Sequence, residues 1–343
     1  MSRDLDTTGA ATWRDARWRA GALEWASERL AERGLALDGE PEQPHIRAWS
    51  TAFRLPVEGG AVWLKSVGPG SAQEPALVGA LGEWSPEHVL VPLAVPRERR
   101  LMLLPDGGTT LRDGGSATSV EAWEAMLRDY AQLQVELLAR TRDLLALGVP
   151  DLRPERLPEQ VVGLLDDDEF QLRDRPGGLT SEARDGVLAG LEEYAELCRR
   201  LVDSGIPATL QHDDLHDANV FVGDGRHRFF DWGDASVAHP FLSLRVPLRV
   251  AGQAIGVPNG DPVLLRLRDA YLEPWSAYGS PAALRELADT ALRVSTLPRA
   301  MTWRRILRGV HPAERAEWQS AVPWWTAEYL EPGILTPATS AAD

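Results

Sequence analysis

The run Gln211-His212-Asp213-Asp214-Leu215-His216-Asp217-Ala218-Asn219 gathers more chemistry than any other part of the chain. Asp214 and Asn219 set a carboxylate and an amide five residues apart on one short segment, and a second carboxylate, Asp231, follows Phe229-Phe230 twelve residues further on. This set suits transfer of a phosphoryl group. One carboxylate holds an acceptor hydroxyl in line, while an amide oxygen and another carboxylate ligate Mg²⁺ on the donor's phosphates. In that chemistry Asp214 is the base, and Asn219 and Asp231 are the metal ligands. A plainer reading is a solvated acidic turn between two strands. Asp224-Gly225 is indeed a hairpin signal, with Asn219-Val220-Phe221-Val222 before it and His227-Arg228-Phe229-Phe230 after it. The hairpin alone does not explain why Asp214, Asn219 and Asp231 fall where its two ends converge.

The segment resembles the aminoglycoside phosphotransferase family, a branch of the protein-kinase-like fold. Its loop reads His-Gly-Asp-Leu-His-x-x-Asn, and an Asp-Trp-Glu-like element stands where protein kinases carry Asp-Phe-Gly. Here the loop runs from His212 to Asn219, and the second element is Asp231-Trp232-Gly233-Asp234. The chain departs from the pattern twice. Asp213 replaces the usual glycine, adding a negative charge beside Asp214. His239-Pro240-Phe241-Leu242-Ser243-Leu244 stands where the family often has Asp-Leu after a Gly-x-Pro turn. The resemblance implies an α+β, bilobal protein-kinase-like fold, with a small antiparallel-sheet lobe for nucleotide and a larger, mainly helical lobe. The whole-chain layout also resembles uncharacterised phosphotransferase-like proteins common in actinobacteria.

All of the 36 basic side chains but one are arginine, and the exception is Lys65, at the end of the apolar run Ala61-Val62-Trp63-Leu64. Chance survival of one codon is the plainer alternative, but position and count together favour function. In the kinase pattern the third-strand lysine contacts the nucleotide's α- and β-phosphates, a place where arginine's planar fork replaces a compact ammonium poorly. The resemblance implies a glutamate partner on the next helix, and Glu74 is the candidate. Ser71-x-x-Glu74 also reads as a capping box, in which that glutamate merely closes a helix start. No G-x-G-x-x-G precedes Lys65. Ser50 and Thr51 take the phosphate-loop position, with an ordinary polar turn as the alternative. Pro105-Asp106-Gly107-Gly108 has the composition of an interlobe linker, and the Gly107 amide is the expected donor to the nucleobase, since Pro105 has none.

The expected organisation is a helical extension over 1–36, with one helix across 11–33; a nucleotide-binding lobe over 37–105; a helical lobe over 106–331; and a loose Pro/Ala/Ser tail over 332–343. The small lobe is expected to hold strands near 45–47, 52–57, 61–65, 90–95 and 100–104 and a helix over 72–83. A capping box at Thr118-x-x-Glu121 opens a helix running to about Gly148, and another spans 182–202.

With 343 residues, 44% hydrophobic and 25% charged, the chain is that of an ordinary globular protein with ample core. No apolar run is long enough to span a bilayer, and Met1 to Asp6 lacks a signal-peptide core, so the expected location is the cytoplasm. The single cysteine, Cys198, excludes an internal disulfide. A net charge of −15 argues against nucleic-acid partners and is compatible with a cationic small acceptor, though plain solubility explains it as well. The resemblance places the acceptor cleft after the catalytic loop, where His216, Asp217, Asp234 and Glu273 are candidates for touching the acceptor. The expected activity is an ATP- or GTP-dependent O-phosphotransferase acting on an amino sugar, amino alcohol or sugar. The opposing class is a catalytically silent scaffold that binds nucleotide or metabolite. A protein kinase is disfavoured, because no Ala-Pro-Glu element follows Asp231.

Overall fold

Alternation of side chains along two strands builds the smaller lobe. The computed structural model describes residues 7–96 and 99–337. Strands β1 (Glu42–Ile46), β2 (Ser50–Val57), β3 (Gly60–Val67) and β4 (Leu101–Pro105) form one antiparallel sheet in that order. Phe53, Leu55 and Val57 of β2 and Val62 and Leu64 of β3 pack against Trp25, Ala26 and Leu30 of the leading helix. Because neighbouring side chains point to opposite faces, Lys65 falls on the other side of the sheet from Leu64.

That leading helix is two helices, α1 (Ala10–Arg14) and α2 (Ala16–Ala31), where one was expected. Asp15 makes the break. Its ψ of 124° ends α1, and its carboxylate caps α2 by accepting the Trp18 N–H at 2.7 Å. A short 3₁₀ turn, Pro69–Ser71, leads into α3 (Glu74–Trp84). The N-cap of α3 is Gln73, so Ser71 and Glu74 do not form the capping box that their spacing suggested. The expected strand over 90–95 is not one, since Pro92 and Pro96 have no N–H to donate; only Leu93 and Ala94 bond to Leu103.

The larger lobe opens with α4 (Val120–Glu136), capped by Ser119 rather than Thr118. The expected long helix gives way at Leu137 to the 3₁₀ turn Leu138–Arg140 and then to α5 (Thr141–Ala146). Helix α6 (Leu157–Leu165) follows. The helix expected over 182–202 divides at Gly190 into α7 (Ser181–Ala189) and α8 (Leu191–Asp203). Next, β5 (Thr209–Gln211) pairs antiparallel with β8 (Ser236–Ala238), and β6 (Val220–Gly223) pairs with β7 (Arg226–Phe229). Asp224 and Gly225 both take positive φ, 53° and 72°, as the tight hairpin requires. Helices α9 (Arg245–Ile255), α10 (Pro262–Leu272), α11 (Pro281–Val294), α12 (Thr296–Arg308) and α13 (Ala321–Ala327) complete the lobe. Its core carries Trp123, Tyr130, Trp232, Phe241, Tyr271 and Trp275, all buried.

Besides the linker at 106–109, the lobes touch at several places, among them the end of α12. Thr8 bonds to Gly309 and His311 through its backbone and to Ala48 O through its hydroxyl. Trp49, in the β1–β2 turn, lies edge-on to Trp303 and Trp318, with centroids 5.9 and 5.3 Å away. The expected loose tail does not begin at 332. Ile334 is buried and its carbonyl accepts the Gly260 N–H; residues 338–343 lie outside the described ones. No helix among the described residues is long and apolar enough to cross a membrane.

Candidate active site

The β5–β8 ladder positions the site. Gln211 pairs with Ser236, so residues 212–219 leave one end of the ladder while 231–235 enter it on the neighbouring strand. His212, fully buried, ties the two segments together. Its Nε2 lies 2.8 Å from Phe230 O, and its Nδ1 accepts the Asp214 N–H, which leaves the proton on Nε2. Burial pushes this imidazole below its ordinary pKa and so favours the neutral ring. The Phe230 N–H also bonds to Asn219 O at 3.1 Å, which brings Asp231 beside the end of the loop. Asp213 and Asp231 both adopt a left-handed φ of 63°. Aspartate is among the few residues that tolerate this region, which explains why Asp213 can stand where glycine is usual.

Lys65 joins the two lobes. Its Nζ is 2.6 Å from Glu74 Oε1 and 2.6 Å from Asp231 Oδ1. Burial opposes the lysine's charge, but Asp231 and Glu74 outweigh it and hold the ammonium firmly protonated. Glu74 is 1% exposed, and burial pushes its carboxyl up to about 7 against the pull of Lys65. For Asp231 the balance is reversed: the surrounding protein pushes its carboxyl up, and Lys65 pulls it below the usual range.

Asp214 rests on a residue that the sequence did not single out. Arg299 of α12, 4% exposed, donates from Nη2 to Asp214 Oδ1 at 2.8 Å and from Nη1 to Asp234 Oδ2 at 2.5 Å; Asp213 Oδ2 is 3.7 Å away. Burial alone would raise the Asp214 carboxyl. The Arg299 guanidinium and the His216 side chain outweigh it, leaving Asp214 well below the ordinary carboxylate range. Asp213 goes the other way, pushed up to about 6 by burial despite Arg299. The guanidinium takes Asp214 Oδ1, whereas Oδ2 keeps only looser neighbours, Asn219 Nδ2 at 3.5 Å and His216 Nε2 at 3.6 Å.

Asn219 spends its amide N–H on Asp214 O at 3.0 Å, so the amide's carbonyl oxygen remains for a ligand. The second oxygen of Asp231 is likewise not used by Lys65. Two oxygen donors of this kind fit Mg²⁺, which keeps several waters and takes few protein ligands beside substrate phosphates.

The other sequence candidates fall in different places. His216 lies inside the loop against Asp214 and Asn219, with Nδ1 accepting the Ala218 N–H. Ser50 and Thr51 begin β2 instead of forming a loop. Thr51 is fully buried, and its hydroxyl links β1 to β2 by donating to His45 O and accepting from Gln43. Gly107 lies in the linker so close to Phe221 that an added Cβ would come within 2.2 Å of that ring. The three carboxylates expected to touch an acceptor are already paired: Asp217 with Arg112 at 2.6 Å, Asp234 with Arg299, and Glu273 with Arg128 at 2.5 Å in a more exposed contact.

Residues 98–287 match the Phosphotransferase enzyme family. No curated protein matches the chain by sequence. Solved structures share its fold at low identity. The choline kinase of Cryptosporidium parvum Iowa II is 11% identical, with a TM-score of 0.60 over 91% of this chain and 94% of that one. The ethanolamine kinase of Plasmodium vivax is 13% identical, with a TM-score of 0.56 over 88% and 85%. The macrolide 2'-phosphotransferase of Brachybacterium faecium is 16% identical, with a TM-score of 0.52 over 90% and 98%. With the match covering more than half its length, its small sheet lobe and its helical lobe, the chain belongs to the phosphotransferase enzyme family and has the protein-kinase-like fold.

Proposed function

We propose that the enzyme moves the γ-phosphoryl group of ATP or GTP to a hydroxyl of a small molecule, an amino sugar, amino alcohol or sugar. The observation that supports this most is the meeting of Lys65 with both Glu74 and Asp231, which aligns the sheet lysine with the floor of the cleft. Lys65 binds donor phosphates, and Asn219 and Asp231 hold Mg²⁺, which when bound neutralises phosphate charge. Asp214 receives the acceptor hydroxyl at Oδ2, because Oδ1 is taken by Arg299. A carboxylate held so strongly in its ionised form is a weak proton acceptor. Its work is therefore to orient the hydroxyl for in-line attack and to take the proton late, which suits a loose transition state.

Arg299 also bears on the acceptor. With Asp213, Asp214 and Asp234 sharing a single guanidinium, the loop stays net negative, which favours an acceptor that carries a cationic group beside its hydroxyl. The Gly107 amide in the linker is the proposed donor to the nucleobase.

The test is Mg²⁺-dependent ADP release from ATP across aminoglycosides, amino alcohols and sugars, repeated with GTP. One class of acceptor should stimulate release, and Asp214→Asn should lower it by about 10³-fold or more with nucleotide affinity nearly unchanged. Equal turnover in Asp214→Asn would refute the assignment of the base.

A further inference from the structure

Helix α12 lines a second cavity with the half that follows Arg299. It has a volume of about 370 Å³ and lies between the Pro69-Gly70 turn and Met301, Arg304, Arg305 and Arg308. Positions 301, 304, 305 and 308 are spaced three, four and seven apart, so one helical face carries all three guanidinium groups. Their partners are few. Arg305 is held by carbonyl oxygens alone, those of Gly70, Gly233 and Asp234. Arg304 donates to Gly163 O at 2.6 Å, and Arg308 to Asp167 Oδ2 at 2.5 Å. Among the described residues Asp167, also 3.7 Å from Arg304, is the one carboxylate in an ion pair with this trio. Asp234 and Asp213 act on Arg305 from the loop side, but neither reaches Arg304 or Arg308 in an ion pair, so these two share the single carboxylate of Asp167.

Confinement is felt by the side chains themselves. Burial pushes Arg304 and Arg305 below their ordinary pKa, and the neighbouring Arg308 adds to the effect on Arg304. The Nε and Nη2 groups of Arg304, and the Nε and Nη1 groups of Arg308, make no hydrogen bond to the described protein. These are planar, forked donors of the kind that bind phosphate oxygens in pairs.

We propose that this cavity is an anion site that takes a phosphate group, held by Arg304 and Arg308 with the Arg305 charge behind them. The space exceeds what a bare oxyanion fills, so the phosphate of a small phosphomonoester fits as well as inorganic phosphate. The site shares no side chain with the Lys65–Asp214 cleft, and it stands whether or not the phosphotransfer reading does.

The experiment is thermal unfolding of the full chain in inorganic phosphate, in glycerol phosphate, and in chloride at matched ionic strength. Wild type, Arg304→Gln/Arg308→Gln and Lys65→Met are compared. Arg305 is left intact because it supports three carbonyls. At ten times Kd, either phosphate should raise the Tm by about 2 °C over chloride. The shift should persist in Lys65→Met, and the double variant should need at least about tenfold more ligand to reach it. A larger effect with glycerol phosphate assigns the site to an esterified phosphate, and an equal one to the free ion. No shift in wild type, or one lost in Lys65→Met and kept in the double variant, would overturn the proposal. A double variant whose chloride Tm has collapsed is replaced by Arg308→Gln alone, whose exposed side chain carries no fold contact beyond Asp167 and Phe170.

Discussion

At the scale of single residues, Arg299 decides the state of the loop it touches. Its removal would leave Asp213, Asp214 and Asp234 crowded without a counterion, so Arg299→Met should cost about 3–5 kcal/mol in chemical unfolding. In the surviving enzyme, Asp214 loses the charge that holds its carboxyl down, and the acid limb of the pH–rate profile should move to higher pH. An unmoved limb would show that Arg299 does not act through Asp214. Asp213 supplies the complementary stability test. Its folded pKa of about 6 lies above that of the unfolded chain, so the folded state binds the proton more tightly. Stability therefore falls as pH rises from about 4 to about 6, by an amount of the order of 2 kcal/mol. Asp213→Asn keeps an oxygen for Gln211 and cannot ionise, and should remove that decline in urea titrations at pH 4, 5, 6 and 7. The extra charge of Asp213 was legible in the sequence, but its partner Arg299 was not. Arg299 meets its carboxylates across 65 and 85 residues, and in a chain with 36 basic side chains nothing local marks one arginine as different.

At the scale of elements, what was local could be read and what was tertiary could not. The hairpin around Asp224-Gly225 and the loop from His212 to Asn219 follow from short-range chemistry, and both lie where the spacing puts them. The meeting of Lys65 with Glu74 rested on a resemblance against a capping rule of equal local merit, and burial of Glu74 under the sheet favours the contact. The strand expected over 90–95 failed because Pro92 and Pro96 were outweighed by apolar content. The helix expected over 11–33 overlooked Asp15, whose capping signal was present. Fine placement also governs the turn that leads into α3. A Cβ on Gly70 would lie 2.7 Å from Ile306 Cα and 2.8 Å from Arg305 O, both backbone atoms that cannot swing aside. Gly70→Ala should therefore lower stability by roughly 1–3 kcal/mol and, by displacing α3 and Glu74, weaken nucleotide binding in calorimetry. Unchanged affinity in a folded Gly70→Ala protein would mean that α3 does not depend on this contact.

At the scale of the whole molecule, the two lobes are joined by the linker at 106–109, by Lys65 and Gln73 reaching Asp231 and Gly233, and by the contacts of Thr8, Trp49 and Gly70 at the end of α12. Movement between the lobes must disturb the set at the end of α12. Trp49→Ala should cost roughly 2 kcal/mol, since the ring is half-buried, and should speed hydrogen exchange at the linker amides. The ring geometry has another consequence, for light. Trp303 and Trp318 lie stacked, 5.8 Å apart and 11° from parallel, and Trp49 meets both nearly at right angles from the opposite lobe. Indoles at such separations couple their excited states, and the coupling is lost once one of them moves away. A Trp49-dependent change in near-ultraviolet circular dichroism during a nucleotide titration would therefore report separation of the lobes at this contact, with Trp49→Phe, which keeps the Trp303–Trp318 pair, as the reference.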